Sequence, residues 1–200
     1  MDGSMPFFLF FMVPMMKAWI GMDYDRGLRM MKEVAEKGRV NATTTNKGVV
    51  DCPNFSYVGI QRTVNVSEIG DFMKKDFMKI IDDVVKQRNK SAQHWVSLYP
   101  KFDMVKQRMT YIAAISDENL KDEDLGSEYI RGEVQADKAL EIFHKGSYDF
   151  IGNGWSMGMM YLQSKKKEMK QSSIPFEYYR NSPMEVAPEE LETSIYFPLK

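Results

Sequence analysis

Pro175-Phe176-Glu177-Tyr178-Tyr179 and Thr193-Ser194-Ile195-Tyr196-Phe197-Pro198 decide how this chain is read. Both stretches are rich in aromatic and β-branched residues. A loop with Asn181, Ser182, Pro183 and Pro188 separates them, so they read as two strands joined by a turn. Side chains on a strand alternate between faces. One face collects Phe176, Tyr178, Ile195 and Phe197, and the other collects Glu177, Tyr179, Ser194 and Tyr196. A lone carboxylate is expensive to desolvate in a core. Among rings it suits a pocket for an apolar or cationic ligand.

The pattern around this hairpin occurs twice. Val49 to Val64 reads as a strand region, Ser67 to Arg88 as a helix, and Gln93 to Tyr99 and Gln107 to Ile115 as two strands. Tyr129 to His144, Ser147 to Lys170, 175–180 and 193–198 repeat that order after roughly eighty residues. The first long helix carries Ile69, Phe72, Met73, Phe77, Ile80, Ile81, Val84 and Val85 at helical spacing. The second holds Gly152, Gly154 and Gly158, which predict close backbone approach or an adaptable surface, and Lys165 to Lys167 with Lys170 close it. Two strand–helix–strand–strand modules make an α+β fold with pseudo-two-fold symmetry, an antiparallel sheet and a ligand cleft between the halves.

Upstream, residues 1–47 read as a helical appendage and linker, and 48–200 as the ligand-binding domain. A helix near Asp23 to Lys37 puts Tyr24, Leu28, Met31, Val34 and Ala35 on one stripe, and Gly38 stops it. Asn41 to Gly48, rich in Thr and Asn, reads as the linker. Met5 to Met16 is apolar, but Asp2 replaces a basic leader and Pro14 lies inside it. At about a dozen residues it is short of the roughly 20 that cross a bilayer, and it reads as a buried segment or dimer arm.

Composition removes several function classes. A 200-residue chain with 44% hydrophobic and 12% aromatic residues can build a core. A net charge of −1 supplies no field for nucleic acid or an anionic membrane. The acidic residues from Asp117 to Asp124 read as a solvated loop. The single Cys52 excludes an internal disulfide and fits a reducing, cytoplasmic setting. With two histidines and no HExxH, CxxC or glycine-rich phosphate loop, no metal or cofactor is expected. His144 reads as a turn or cap residue rather than a base.

The run His144-Lys145-Gly146-Ser147-Tyr148, followed by a helix, by Phe176 to Pro183 and by Pro188 to Pro198, resembles the GyrI-like small-molecule-binding domain. That family includes effector-binding halves of bacterial multidrug-sensing regulators and stand-alone proteins. The resemblance covers about 150 residues, from near Gly48 to the end, and implies two strand–helix–strand–strand modules. It places the pocket carboxylate on Glu177 with Tyr179 beside it. In many members the last strand carries a second glutamate and then an aromatic; here Tyr196 keeps the aromatic and Ser194 replaces the glutamate. Tyr148 is the aromatic after the turn, and Trp155 lies seven residues on. Trp95, Tyr99 and Tyr111 are the first module's candidates. Trp19 to Leu28 is similar to the C-terminal helix of START-like polyketide-cyclase domains.

Each candidate also has a plainer reading: Glu177 as an edge-strand carboxylate, Tyr148 and Trp155 as core aromatics. The reading favoured is a binding protein for apolar or amphipathic, cationic molecules, serving effector sensing or sequestration, with no direct nucleic-acid or membrane contact. The enzymatic alternative is a hydrolase of small reactive electrophiles. There Glu177 is the general base, and Tyr179 or Tyr148 hydrogen-bonds the substrate. A third reading is a protein-binding module, with a homodimer formed through the N-terminal arm.

Overall fold

The computed structural model describes residues 13–86, 94–103, 106–116 and 125–200. The expected N-terminal run is therefore described only from Val13, and the acidic segment 117–124 lies outside the described residues. Helix α1 (Val13–Lys37) precedes β1 (Ala42–Asp51) and β2 (Phe55–Asn65). Helix α2 (Ile69–Ile80) runs on as a π-helical turn, Ile81–Lys86. Strands β3 (His94–Asp103), β4 (Arg108–Ser116), β5 (Tyr129–Val134) and β6 (Lys138–Gly146) follow. Helix α3 (Gly152–Ser164), β7 (Phe176–Tyr179) and β8 (Glu192–Pro198) complete the chain.

All eight strands join one antiparallel sheet in the order β1-β6-β8-β7-β3-β4-β2-β5. The two modules are visible in it: β6-β8-β7 with α3 and β3-β4-β2 with α2 meet at the β7–β3 pair. The two expected leading strand regions are each two strands. Pro53, lacking an amide proton, breaks the first between β1 and β2. The leading strands are exchanged: β1 pairs only with β6 of the second half, and β5 only with β2 of the first.

That exchange bends the sheet. Links of three residues, 52–54 and 135–137, join β1 to β2 and β5 to β6, although the joined strands lie near opposite edges. Three residues reach only about 10 Å, so the edges must approach each other. Where the links meet, Cys52 N donates to Asp137 O (3.1 Å) and Ala136 N to Asn54 Oδ1 (2.9 Å). The curl encloses a core of Tyr57, Val96, Leu98, Ile112, Phe176 and Tyr196 on the face away from the helices. On the helix face α2 covers Ile60, Val64, Tyr111 and Ile115, while α3 covers Leu140, Ile142, Ile195 and Phe197.

Asn41 to Gly48 is not a linker; Ala42 to Gly48 form most of β1. Its threonines are β-branched and suit a strand. The Asn46-Lys47-Gly48 turn signal marks a bulge, with Gly48 at φ +85° and its amide donating to Asn46 Oδ1 (2.8 Å). Helix α1 is already formed at Val13, the first described residue, upstream of the expected Asp23, and Gly38 (φ +76°) ends it as expected, its amide donating to Val34 O (2.9 Å). Helix α3 stops at Ser164, short of Lys170. Lys166 takes φ +50°, and Lys166 and Lys167 amides close back on Gln163 and Leu162 carbonyls, a Schellman stop.

Candidate functional site

The two modules meet where Ser97 of β3 pairs with Glu177 of β7. Glu177 is 3% exposed. Its Oε1 accepts from Trp155 Nε1 at 2.6 Å, and its Oε2 accepts from the Tyr179 and Tyr99 hydroxyls at 2.7 and 2.9 Å. The carboxylate is thus buried and carries three donors, one from α3, one from β3 and one from its own strand.

Each donor has a local reason for its place. Tyr99 and Tyr179 share Glu177's face through strand alternation and the β3–β7 register. Trp155 reaches it because α3 lies low on β8. A Cβ on Gly154 would stand 2.5 Å from Ile195 Cδ1, and one on Gly158 would overlap the Phe197 ring. The Ser147 side chain caps the short turn Tyr148–Phe150, which sets the Tyr148 ring 5.6 Å from that of Tyr179.

A second layer of rings and sulfur surrounds the first. Phe77 meets Tyr179 and Trp95 edge-on, at 5.9 and 5.7 Å. Trp155 meets Tyr99 and Phe197 at 5.0 and 5.2 Å. The Ser97 hydroxyl lies 2.9 Å from the Tyr179 hydroxyl and 3.4 Å from Met73 Sδ. Tyr99, Tyr148, Trp155 and Tyr179 are half-buried, so this ring layer reaches solvent while the carboxylate lies beneath it.

Burial raises the Glu177 pKa above the ordinary glutamate value, and the bonds from Trp155, Tyr179 and Tyr99 hold the rise in check. Burial, and then the negative charge of Glu177, push Tyr99, Tyr179 and Tyr148 up, so all three phenols stay protonated. The site therefore offers one buried carboxyl group among neutral rings. It can stabilise a cation at short range, or take a proton from a group that displaces its donors.

Two expected members lie elsewhere. The β7–β8 register puts Ile195, not its neighbours, opposite Glu177. Directly paired residues share a face. Ser194 and Tyr196 therefore point to the other side of the sheet, contrary to the sequence reading, which aligned the two strands one residue out. Tyr196 stacks on Phe176 at 5.1 Å, and Ser194 Oγ donates to Glu141 at 2.7 Å.

Tyr111 is on the helix face but serves a separate buried cluster. Its hydroxyl donates to Asp76 Oδ2 (2.6 Å), and Arg62 clamps the same carboxylate, Nε donating to Oδ2 (2.9 Å) and Nη2 to Oδ1 (2.5 Å). Trp95 contributes only to the second layer. Met73, Phe77 and Phe197 were missed as site residues, although the spacing of the first two on α2's apolar face was readable. A groove of about 820 Å³ lies along α2, lined by Asp71, Lys74, Lys75, Met78, Lys79, Asp82 and Asp83, and includes none of the rings.

His144 is fully buried, with Nε2 3.2 Å from Ser147 O and Nδ1 3.1 Å from Thr44 Oγ1. A carbonyl only accepts, so Nε2 carries the proton and Nδ1 accepts from the threonine; burial lowers the pKa and keeps the ring neutral. Among the described residues no cluster of His, Cys, Asp or Glu could hold a metal ion.

A sequence profile described as the GyrI-like small molecule binding domain matches residues 48–200. A chain of the EcmrR–DNA complex shares the fold with a TM-score of 0.60 at 15% identity, over 90% of this chain and 66% of that one. SAV2435, solved bound to tetraphenylphosphonium, gives 0.57 at 16% identity over 78% of this chain and 94% of its own. An integron cassette protein of Vibrio cholerae gives 0.54 at 14% identity over 79% and 99%. Likeness at these identities is one of fold. No curated protein matches the sequence.

Proposed function

The chain belongs to the GyrI-like small-molecule-binding family, and from that premise we propose that it captures hydrophobic cations at Glu177, for effector sensing or sequestration. The observation that carries this reading is a buried carboxylate held by three neutral donors beneath half-buried rings. A ligand meets the rings first, each cation–π contact contributing roughly 0.5–2 kcal/mol once desolvated. Its charge then takes the place of one or more donors on the carboxylate. Binding by ring area and one charge makes selectivity broad. The solved SAV2435 complex makes tetraphenylphosphonium the natural probe. Titration calorimetry should give binding in the micromolar range, weakened at least about tenfold by Glu177→Gln, the loss of a buried charge partner. Equal affinity in the variant would reject the reading.

The raised Glu177 pKa favours a second reading, a hydrolase of small strained-ring electrophiles. Glu177 would take a proton from water while Tyr179 or Tyr148 donates to the substrate. Turnover of such a compound that persists in Glu177→Ala would exclude it. Among the described residues no helix is long and apolar enough to cross a membrane. A cytoplasmic protein without direct nucleic-acid contact is part of the proposal.

A further inference from the structure

We propose that Met73 ends a reversible hydrogen-bond chain, Glu177–Tyr179–Ser97–Met73, through which the carboxyl holds a proton until a cation arrives. The inference rests on the reading of Glu177 as the cation site and deepens it. Tyr179 has one hydroxyl proton and two acceptors in reach, Glu177 Oε2 at 2.7 Å and Ser97 Oγ at 2.9 Å. Ser97, fully buried, likewise has one proton and two acceptors, the Tyr179 oxygen at 2.9 Å and Met73 Sδ at 3.4 Å. The same heavy-atom positions therefore admit two directions. With Glu177 ionised, Ser97 donates to Tyr179 and Tyr179 to the carboxylate, and the sulfur accepts nothing from Ser97. With Glu177 protonated, its hydroxyl donates to Tyr179, Tyr179 to Ser97 and Ser97 to the sulfur.

Sulfur is what makes the reversal possible. A thioether is a weak acceptor that loses little without a bond, whereas a buried hydroxyl proton with no acceptor is costly. Met73 is thus idle in the ionised state and required in the neutral one. The groups facing Glu177 add no fixed charge. Tyr99 from β3, Tyr179 from its own strand and Tyr148 from the turn before α3 are protonated phenols. Trp155 from α3 donates a neutral N–H, and Ile195 of β8 and Met73 and Phe77 of α2 bring no charge. Burial favours the neutral carboxyl in these surroundings, and the chain supplies that form with its bonds. An arriving cation favours the ionised form, the chain turns over, and the proton leaves for solvent through the half-buried ring layer.

The carboxyl titration of Glu177 in the full chain, followed by NMR of the side-chain carboxyl carbons and assigned by its loss in Glu177→Gln, tests this without any ligand. Met73→Leu keeps the volume and removes the acceptor. It should lower the Glu177 midpoint by about half a pH unit or more, the weight of one hydrogen bond. In a Tyr179→Phe background the chain is cut and Ser97 bonds the sulfur in both charge states. There the same Met73→Leu change should leave the midpoint where Tyr179→Phe alone puts it. A midpoint unmoved or raised by Met73→Leu would overturn the proposal. So would an equal fall in the Tyr179→Phe background, which marks a packing effect; if Tyr179→Phe does not fold, the sign of the Met73→Leu shift decides alone. Tetraphenylphosphonium gives a separate readout: below the midpoint Met73→Leu should bind it about threefold more tightly, and above the midpoint equally. A lowered midpoint with no tetraphenylphosphonium binding at any pH would uphold the chain and reject the capture of cations at Glu177.

Discussion

Burial holds the proton on Glu177 more tightly than in the unfolded chain, so its effect on stability runs opposite to that of most carboxyls. The contribution is complete below the unfolded value near 4.5 and is lost as pH rises through the higher folded value. Glu177→Gln cannot ionise. Its melting temperature should therefore fall less than the parent's over the pH window that opens at the unfolded value near 4.5. Binding of a cation lowers the folded pKa again and expels a proton. In that window the calorimetric heat of tetraphenylphosphonium binding should change with the ionisation heat of the buffer, and should not in Glu177→Gln. Asp76 is a different buried acid, 2% exposed and fixed by Arg62 and Tyr111. Asp76→Ala strands Arg62 and the Tyr111 hydroxyl and should cost about 3 kcal/mol in urea titration, against about 1 for Tyr111→Phe. Sequence alternation was enough to group Glu177 with Tyr179, and Tyr99 with Trp95. It could not align one strand against the next. Ser194 and Tyr196 were placed wrongly because a slip of one residue exchanges faces.

Helix α3 owes its depth to its glycines. Gly158→Ala gains about 1 kcal/mol of helix propensity, but its methyl overlaps the buried Phe197 ring, and overpacking costs about 1–3 kcal/mol. The net result should be a loss of stability and a shift in Trp155 fluorescence as the helix lifts from β8. Gly70 of α2 is the contrast: nothing lies within 4 Å of a Cβ there, so Gly70→Ala should stabilise by about 0.5 kcal/mol in the same assay. The need for close approach was legible in the composition of α3, whereas the ring that fills the gap was not. Strand β1 was hidden for another reason. Asn46-Lys47-Gly48 carries a loop signal, and only its pairing with β6 turns that signal into a bulge.

The whole molecule follows from the repeat, which periodicity revealed, and from the strand exchange, which it did not. Local patterns report which segments are strands, but not which distant edge each one joins. The profile match begins at residue 48, inside β1 (Ala42–Asp51). A chain cut to start at Gly48 loses six strand residues and the bond from Thr44 to His144. It should melt several degrees below one starting at Arg39, by about 2–4 °C for each kcal/mol lost in a domain of this size. Because each half lends its leading strand to the other, the two halves are clasped rather than merely adjacent. Nicking the backbone between β4 and β5 would leave the pieces locked in one particle. Expressed apart, each would present a vacant edge that its sister fragment alone completes, which makes this fold a natural split-protein complementation pair.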